Sequence, residues 1–372
     1  MMSRLRFCTL TAAVAICAAL AWLSSATAQQ PTAINRGVVE LETSSTAGIS
    51  VRIAEDLANL IDDGATRRVV PVVGKGSLQN LLDLRYLRGV DMAILQTDVL
   101  DYAKEQQLLP GFESSFTYIA RLYNEEFHLL AGPDIENITD LANRKVNFDL
   151  RGSGTAITAS RLFDLLKVPV TVVNDSQEVA LDKLRRGEIA ALAFVAGKPA
   201  PVFTRLGGDD GLHFVPVPFN PAANTAYAPA RLTAADYPGL MTQGQSVDTI
   251  AVGSVLAVPE LRQLPERYKN VANFVDVFFT GFQSLLAPGH HPKWQEVSLA
   301  AEFPGWRRFA PAEQWLQRNM QVANAPKLGD LKKMFALFVD ERRQAMGGVP
   351  MSEQDKDALF RQFQSWQRDQ PQ

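Results

Sequence analysis

Three short polar clusters in this chain have the residue types and spacing to hold a small solute. The first is Arg151-Gly152-Ser153-Gly154-Thr155, between a strand-like run (Val146–Asp149) and an apolar helical pattern ending near Leu166. The opening N–H groups of such a helix lack partners within it and lie at the positive end of its dipole. A carboxylate or other small anion fits there, and glycine lets it approach the backbone. Arg151 either adds a charge-assisted bond to the ligand or is a solvated surface charge, and Asp149 either orients Arg151 or is a loop acid. The plainer alternative is a strand-to-helix turn with a serine or threonine cap. The second cluster, Ser77 and Asn80 after Gly76, either binds solute or caps the following helix. The third, Gln96-Thr97-Asp98, either binds solute or forms an Asx turn.

Enzyme signatures do not emerge. Gly152-x-Gly154 continues to Ile157 and lacks the third glycine of a dinucleotide loop. Gly197-Lys198 runs into Pro199 without an upstream glycine at phosphate-loop spacing, and no G-x-S-x-G occurs. His290-His291 invites a metal reading, but adjacent histidines point apart and no other histidine or cysteine stands at ligand spacing. His128 and His213 are isolated. No metal, cofactor or catalytic residue is expected.

The elements that must position these clusters follow from periodicity. Strand-like runs are Gly37–Thr43, Val69–Val73, Met92–Gln96, Val146–Asp149, Val170–Val173, Ile189–Val195, Phe214–Val217 and Thr249–Val258. Helical spacing marks Ile49–Ile61, a segment holding Leu78, Leu81 and Leu82, then Gly154–Leu166, Ser176–Arg186 and Leu261–Leu286. Two βαβαβ successions imply two α/β units with mostly parallel sheets and helices on their faces. Ligands of open α/β sheets bind at the carboxyl ends of the strands, so two facing units enclose a cleft that closes by hinge motion. Leu129–Ala131 and Ile250–Val255 are the expected crossings. Beyond Pro288 the composition changes, and Ala312–Val322, Lys327–Met346 and Ser352–Arg368 read as polar helices. The tail tryptophans Trp294, Trp306, Trp315 and Trp366 either pack this extension onto the first unit or form a partner surface.

The first residues read as an export signal. Arg4 and Arg6 precede an apolar run from Phe7 to Leu23, and Ala26-Thr27-Ala28 offers a small-x-small cleavage site after Ala28. Cys8 and Cys17, the chain's two cysteines, lie in this leader, so the mature chain can form no disulfide. Removing 28 of 372 residues leaves 344, enough for two cores, with 35 basic against 40 acidic residues, a net charge of −5. Nothing in this balance suggests a nucleic-acid binder.

Several segments together resemble the TAXI family of TRAP-transporter solute receptors. They are Gly76-Ser77-Leu78-Gln79-Asn80, Val90-Asp91-Met92-Ala93-Ile94-Leu95-Gln96-Thr97-Asp98, Arg121-Leu122-Tyr123, and Asp140-Leu141 before Lys145-Val146. Gly152-Ser153-Gly154-Thr155, Gly187-Glu188-Ile189-Ala190-Ala191 and Ala196-Gly197-Lys198-Pro199 complete the set. The match runs from about residue 38 to 285, and order and spacing carry it. The resemblance implies an α/β, two-lobed type II periplasmic binding protein fold with a hinge and an interdomain cleft, plus here a C-terminal helical extension. The expected division is 1–28 signal peptide, 29–130 lobe I, 131–249 lobe II, 250–287 return to lobe I, and 288–372 the extension packed on lobe I. It implies ligand contacts from Ser44, Ser45 and Thr46 in the first loop, Ser77 and Asn80 in the second, and Gln96, with Asp98 beside it, in the third. Tyr123, Arg151, Ser153, Gly154, Thr155 and Ala196 complete the implied site. Two features depart from the family. The first loop, Ser44-Ser45-Thr46-Ala47-Gly48, lacks the usual glycines and tyrosine pair, and Arg151 stands where a small residue is usual.

The expected function is that of an exported, periplasmic, monomeric receptor. It would capture a small carboxylate-bearing solute, an amino acid such as glutamate or a dicarboxylate, for membrane TRAP permease subunits. The alternatives are a ligand-sensing module for a membrane sensor kinase and, less favoured, an exported enzyme.

Overall fold

The computed structural model describes residues 37–109, 111–208, 211–219 and 226–323. The expected leader and the expected helices Lys327–Met346 and Ser352–Arg368 lie outside these residues. The described residues up to Ala312 form one compact unit, taken first; those from Glu313 belong to a second.

The first half runs β1 (Val38–Thr43), α1 (Ser50–Ile61), β2 (Arg68–Val73), α2 (Ser77–Tyr86), β3 (Val90–Gln96) and α3 (Thr97–Glu105). A long strand, β4 (Phe116–Ala131), leads to the second half: β5 (Lys145–Asn147), α4 (Gly154–Leu165), β6 (Thr171–Val173), α5 (Gln177–Arg185), β7 (Ala191–Ala196), β8 (His213–Phe214) and β9 (Tyr227–Thr233). The chain returns along β10 (Ser246–Pro259) into α6 (Pro265–Leu285). Strand order is β2-β1-β3-β10-β4-β7-β5-β6, with β8 beside β4 and β9 beside β10.

β4 and β10 link the halves by changing partners. β4 pairs with β10 from Phe116 to Glu126 and with β7 from Glu126 to Ala131. β10 pairs with β9 up to Val252 and with β3 from Ser254. The β10 exchange falls within Ile250–Val255. That of β4 falls at Glu126, before the expected Leu129–Ala131.

Alternation along the strands builds a core on each sheet face of the second half. In β7, Ala191, Ala193 and Val195 face one cluster with Val146, Phe148, Leu162 and Phe163. Leu192, Phe194 and Ala196 face the other, with Leu181, Leu184, Phe203 and Phe214. A separate core in the first half gathers Leu81, Leu95, Leu100, Phe116, Tyr118 and Val255, and Phe303 and Trp306 of the extension pack against it. Trp294 is fully buried; its indole N–H donates to Asp56 Oδ2 at 2.8 Å and its ring meets Phe278 and Phe282. In the second unit, the described residues are the C-terminal part of a helix spanning Ala310–Ala323.

Candidate functional site

The carboxyl ends of β1 and β3 and the start of α4 converge between the halves. The expected strand Val146–Asp149 stops at Asn147, because Asp149 adopts φ 65° and turns the chain toward the helix. Ser153 then caps α4, its Oγ accepting from the Ala156 amide at 3.1 Å. The two halves touch here: the Gln79 amide donates to the Gly152 carbonyl at 2.9 Å. Two glycines permit the approach. A Cβ at Gly76, which has φ +116°, would lie 3.0 Å from the Ser153 Cα; one at Gly154 would lie 1.7 Å from Gln96 Oε1.

The contact leaves a cavity of about 20 Å3, room for roughly one water-sized group. Ser44, Ser45, Ser50 and Ser77 line it from the first half, Ser153, Gly154 and Thr155 from the second. Two of these hydroxyls are aimed by the backbone. Ser77 Oγ accepts from the Gln96 amide at 3.0 Å, and Thr155 Oγ1 accepts from the Val195 amide at 3.0 Å. Each keeps its own O–H to donate. Ile94, Phe194 and Val195 supply the apolar wall.

Of the sequence-selected residues, Ser44, Ser45, Ser77, Gln96, Ser153, Gly154 and Thr155 therefore meet around one cavity. The others lie outside its lining. Thr46 is exposed. Asn80 is buried and its side chain is committed, Oδ1 accepting from the Gly76 amide and Nδ2 donating to the Thr43 carbonyl. Tyr123 is buried in β4, against Gly197, with no hydrogen-bond partner for its hydroxyl; burial raises its pKa well above the usual phenol value. Arg151 is exposed and donates from Nε to Asn174 Oδ1 at 3.3 Å. Ala196 is buried in the second-half core.

The sequence reading did not include Ser50, Lys75, Glu125 or, as a lining residue, Asp149, yet all four border the cavity. Glu125 lies in the middle of β4 and accepts from Gln96 Nε2 at 2.5 Å. Burial pushes it up to about 7, against the pull of that bond and with a further push from Glu126. Burial likewise raises Asp149 to about 6, although bonds from the Leu150 amide, Ser153 and Gln177 hold it down. Outside the cavity lining, burial raises Glu42 to about 8, with Asp83 adding like charge. The available signal was an acidic pair, Glu125-Glu126, within a segment rich in apolar residues, since a buried acid needs a reason to be there.

Further contacts hold the halves together. Asp98 of α3 is fully buried, accepting from Thr158 Oγ1 of α4 at 2.7 Å and from the Tyr227 hydroxyl of β9 at 3.2 Å. Burial raises it to about 6, with both hydroxyl bonds pulling it down. Nearby, Arg161 meets Glu105 at 2.7 and 3.2 Å. At the strand exchange, the buried Lys293 ammonium lies 2.6 Å from Glu126 and 2.7 Å from Glu296. Glu126 also accepts from the Lys198 amide at 2.9 Å. His291, singled out for metal, accepts from the Lys293 amide, and His290 lies 3.1 Å from Asp56.

Two α/β halves, joined by strands that exchange partners, thus meet at a polar cavity at the facing strand ends. The chain belongs to the NMT1-like family, which it matches over residues 41–266. Among solved structures, the periplasmic binding protein BugD is 13% identical, with a TM-score of 0.46 over 78% of this chain and 96% of its own. The CA3427 gene product of Candida albicans, described as exhibiting the generic periplasmic binding protein fold, is 13% identical, with a TM-score of 0.43 over 75% and 80%. AbpA of Streptococcus pneumoniae, an amino acid ABC transporter substrate-binding protein bound to L-arginine, is 13% identical, with a TM-score of 0.40 over 67% and 90%. Among the described residues no helix is long and apolar enough to cross a membrane.

Proposed function

We propose that this chain is an exported solute receptor of the TAXI type that captures a small carboxylate-bearing solute for a TRAP-type, ion-driven permease. In this reading residues 29–130 and 250–287 make the first lobe, 131–249 the second, and 288–372 the extension. The carrying observation is the cavity at the start of α4, where amides and hydroxyls from both halves converge on one small space. The motif resemblance supplies the transport partner.

The mechanism needs no covalent step. In the open form the solute's charged end meets the Gly154 and Thr155 amides and the Ser77 and Thr155 hydroxyls, which replace its hydration. Closure brings Thr158 and Tyr227 onto Asp98 and Arg161 onto Glu105, contacts that latch the lobes in the state described above; its cavity of about 20 Å3 must widen to hold the guest. The binding free energy offsets whatever it costs to bring buried acids together.

The test is a thermal-shift panel of carboxylates, amino acids and sugars, followed by small-angle scattering with the best solute. A shift with carboxylate-bearing compounds and a more compact particle are expected. Stabilisation by none of them would overturn the proposal.

A further inference from the structure

One edge of β4 pairs with β10 from Phe116 to Glu126; the other carries β7 only from Glu126 onward. Before Glu126 the extension takes the place of β7. Both backbone groups of Tyr118 bond to it, the amide donating to the Arg307 carbonyl at 3.1 Å and the carbonyl accepting from the Phe309 amide at 2.8 Å. Further along, Arg121 forms a bridge with Ser298, and the Asn124 amide donates to Glu296 Oε2 at 3.0 Å. This cover gives partners to backbone groups that would otherwise form an open sheet edge. It stops where β7 begins, so Glu126 stands between two edge partners that belong to different lobes.

Glu126 spans that gap. Its Oε1 lies 2.6 Å from Lys293 Nζ, and its Oε2 accepts from the Lys198 amide at 2.9 Å. Lys198 stands just past the end of β7 and moves with the second lobe. Lys293 belongs to the extension, which is anchored on the first lobe next door: Trp294 is fully buried and donates to Asp56 of α1. Glu126 and Lys293 are 4% and 3% exposed, so salt screens their charges little. One buried carboxylate therefore has an oxygen held from each lobe.

We infer that the extension is a brace on the hinge, in which Lys293 acts through Glu126 to hold the second lobe closed against the first. Lys293 is a positioning residue and lies outside the cavity lining. Opening that turns the second lobe about this point moves the Lys198 amide relative to Lys293, and the shared carboxylate cannot follow both. One charge-assisted bond is then lost, which sets the closed form below the open one. The inference rests on the two halves being hinged lobes and gives the extension its part in that motion.

The test compares the wild type, Lys293→Met and the double variant Lys293→Met/Glu126→Gln at about pH 7. Each carries dyes on cysteines introduced at Tyr86 of α2 and Val179 of α5, with Cys8 and Cys17 changed to serine. Single-molecule energy transfer reads the ratio of closed to open molecules, and denaturant unfolding reads stability. Lys293→Met should lose stability, because Glu126 stays buried without its cation; the double variant should recover most of that loss, since no unpaired charge remains. The closed-to-open ratio should nonetheless fall about tenfold or more in both variants, the size of one charge-assisted hydrogen bond. If Lys293→Met does not fold, the double variant decides by its ratio. A double variant that recovers the wild-type ratio together with its stability would overturn the inference, as Lys293 would then be structural only. Two populations in the same ratio in all three proteins would also overturn it and leave the hinged lobes standing. A single unchanging distance in all three would overturn both.

Discussion

Asp98 gives the sharpest test of hinge closure. Its carboxylate sits on α3 of the first lobe, yet both hydroxyls that bond to it, Thr158 and Tyr227, come from the second. Opening therefore returns Asp98 toward water and toward its ordinary pKa of 3.8, whereas closure raises it to about 6. The sign follows from linkage. A carboxyl raised on closure favours the closed form most when protonated and loses that preference as pH rises through the closed-state value. Roughly two pKa units correspond to about 3 kcal/mol, or on the order of a hundredfold in the closing equilibrium, between about pH 4 and pH 7. Asp98→Asn keeps an acceptor oxygen for both hydroxyls and cannot ionise. The assay is single-molecule energy transfer between dyes on cysteines introduced at Tyr86 and Val179, which are 66% and 46% exposed. The native cysteines, Cys8 and Cys17, fall within the expected leader, so labelling of a chain lacking it is specific. The wild type should open as pH rises, with Glu125 and Asp149 contributing in the same direction. Asp98→Asn should stay closed at about pH 7, its closing free energy changing over that pH range by about 3 kcal/mol less than the wild type's. An identical pH profile for the two proteins would refute the reasoning.

Four further outcomes follow from the same contacts. Gly154→Ala places a Cβ on Gln96 Oε1, so the Gln96 side chain must swing off Glu125; the closed population should fall in the energy-transfer assay while the circular dichroism spectrum stays unchanged. Trp294→Ala removes a fully buried ring and its bond to Asp56, and should cost about 3–5 kcal/mol in denaturant unfolding. Lys293→Met leaves Glu126 buried without its cation. It should cost about 3–5 kcal/mol at neutral pH and less on acidification, as Glu126, raised by burial, takes up its proton. Arg161→Ala breaks a partly exposed ion pair and should change stability by less than about 1 kcal/mol.

Much of the fold was legible because its elements carry their own punctuation. α4 begins where Ser153 caps it and its apolar period starts, and β7 shows a buried-type run of six apolar residues. β4 was not read as a strand through its length. Both its faces are covered, so alternation is lost, and Arg121, Glu125 and Glu126 interrupt the apolar run. β9 escaped for a related reason: Pro229 and Arg231 obscure a strand whose register is set by β10. Within the site, the helix start and loop hydroxyls could be named because caps and glycine turns are local. Glu125 could not, because its role depends on Gln96, 29 positions away, and the burial of Glu126 depends on Lys293, 167 positions away. Arg151 illustrates the converse. Its sequence position allowed a ligand contact or a solvated surface charge, and the turn at Asp149 places it at the surface beside Asn174.

The central claim places a solute against the first amides of α4, between the lobes. Hydrogen–deuterium exchange, with and without the solute giving the largest thermal shift, tests this by location. The account predicts slowed exchange at residues 152–156, with matching protection at 75–80 and 94–97. Protection confined to other surfaces, with 152–156 unchanged, would contradict it.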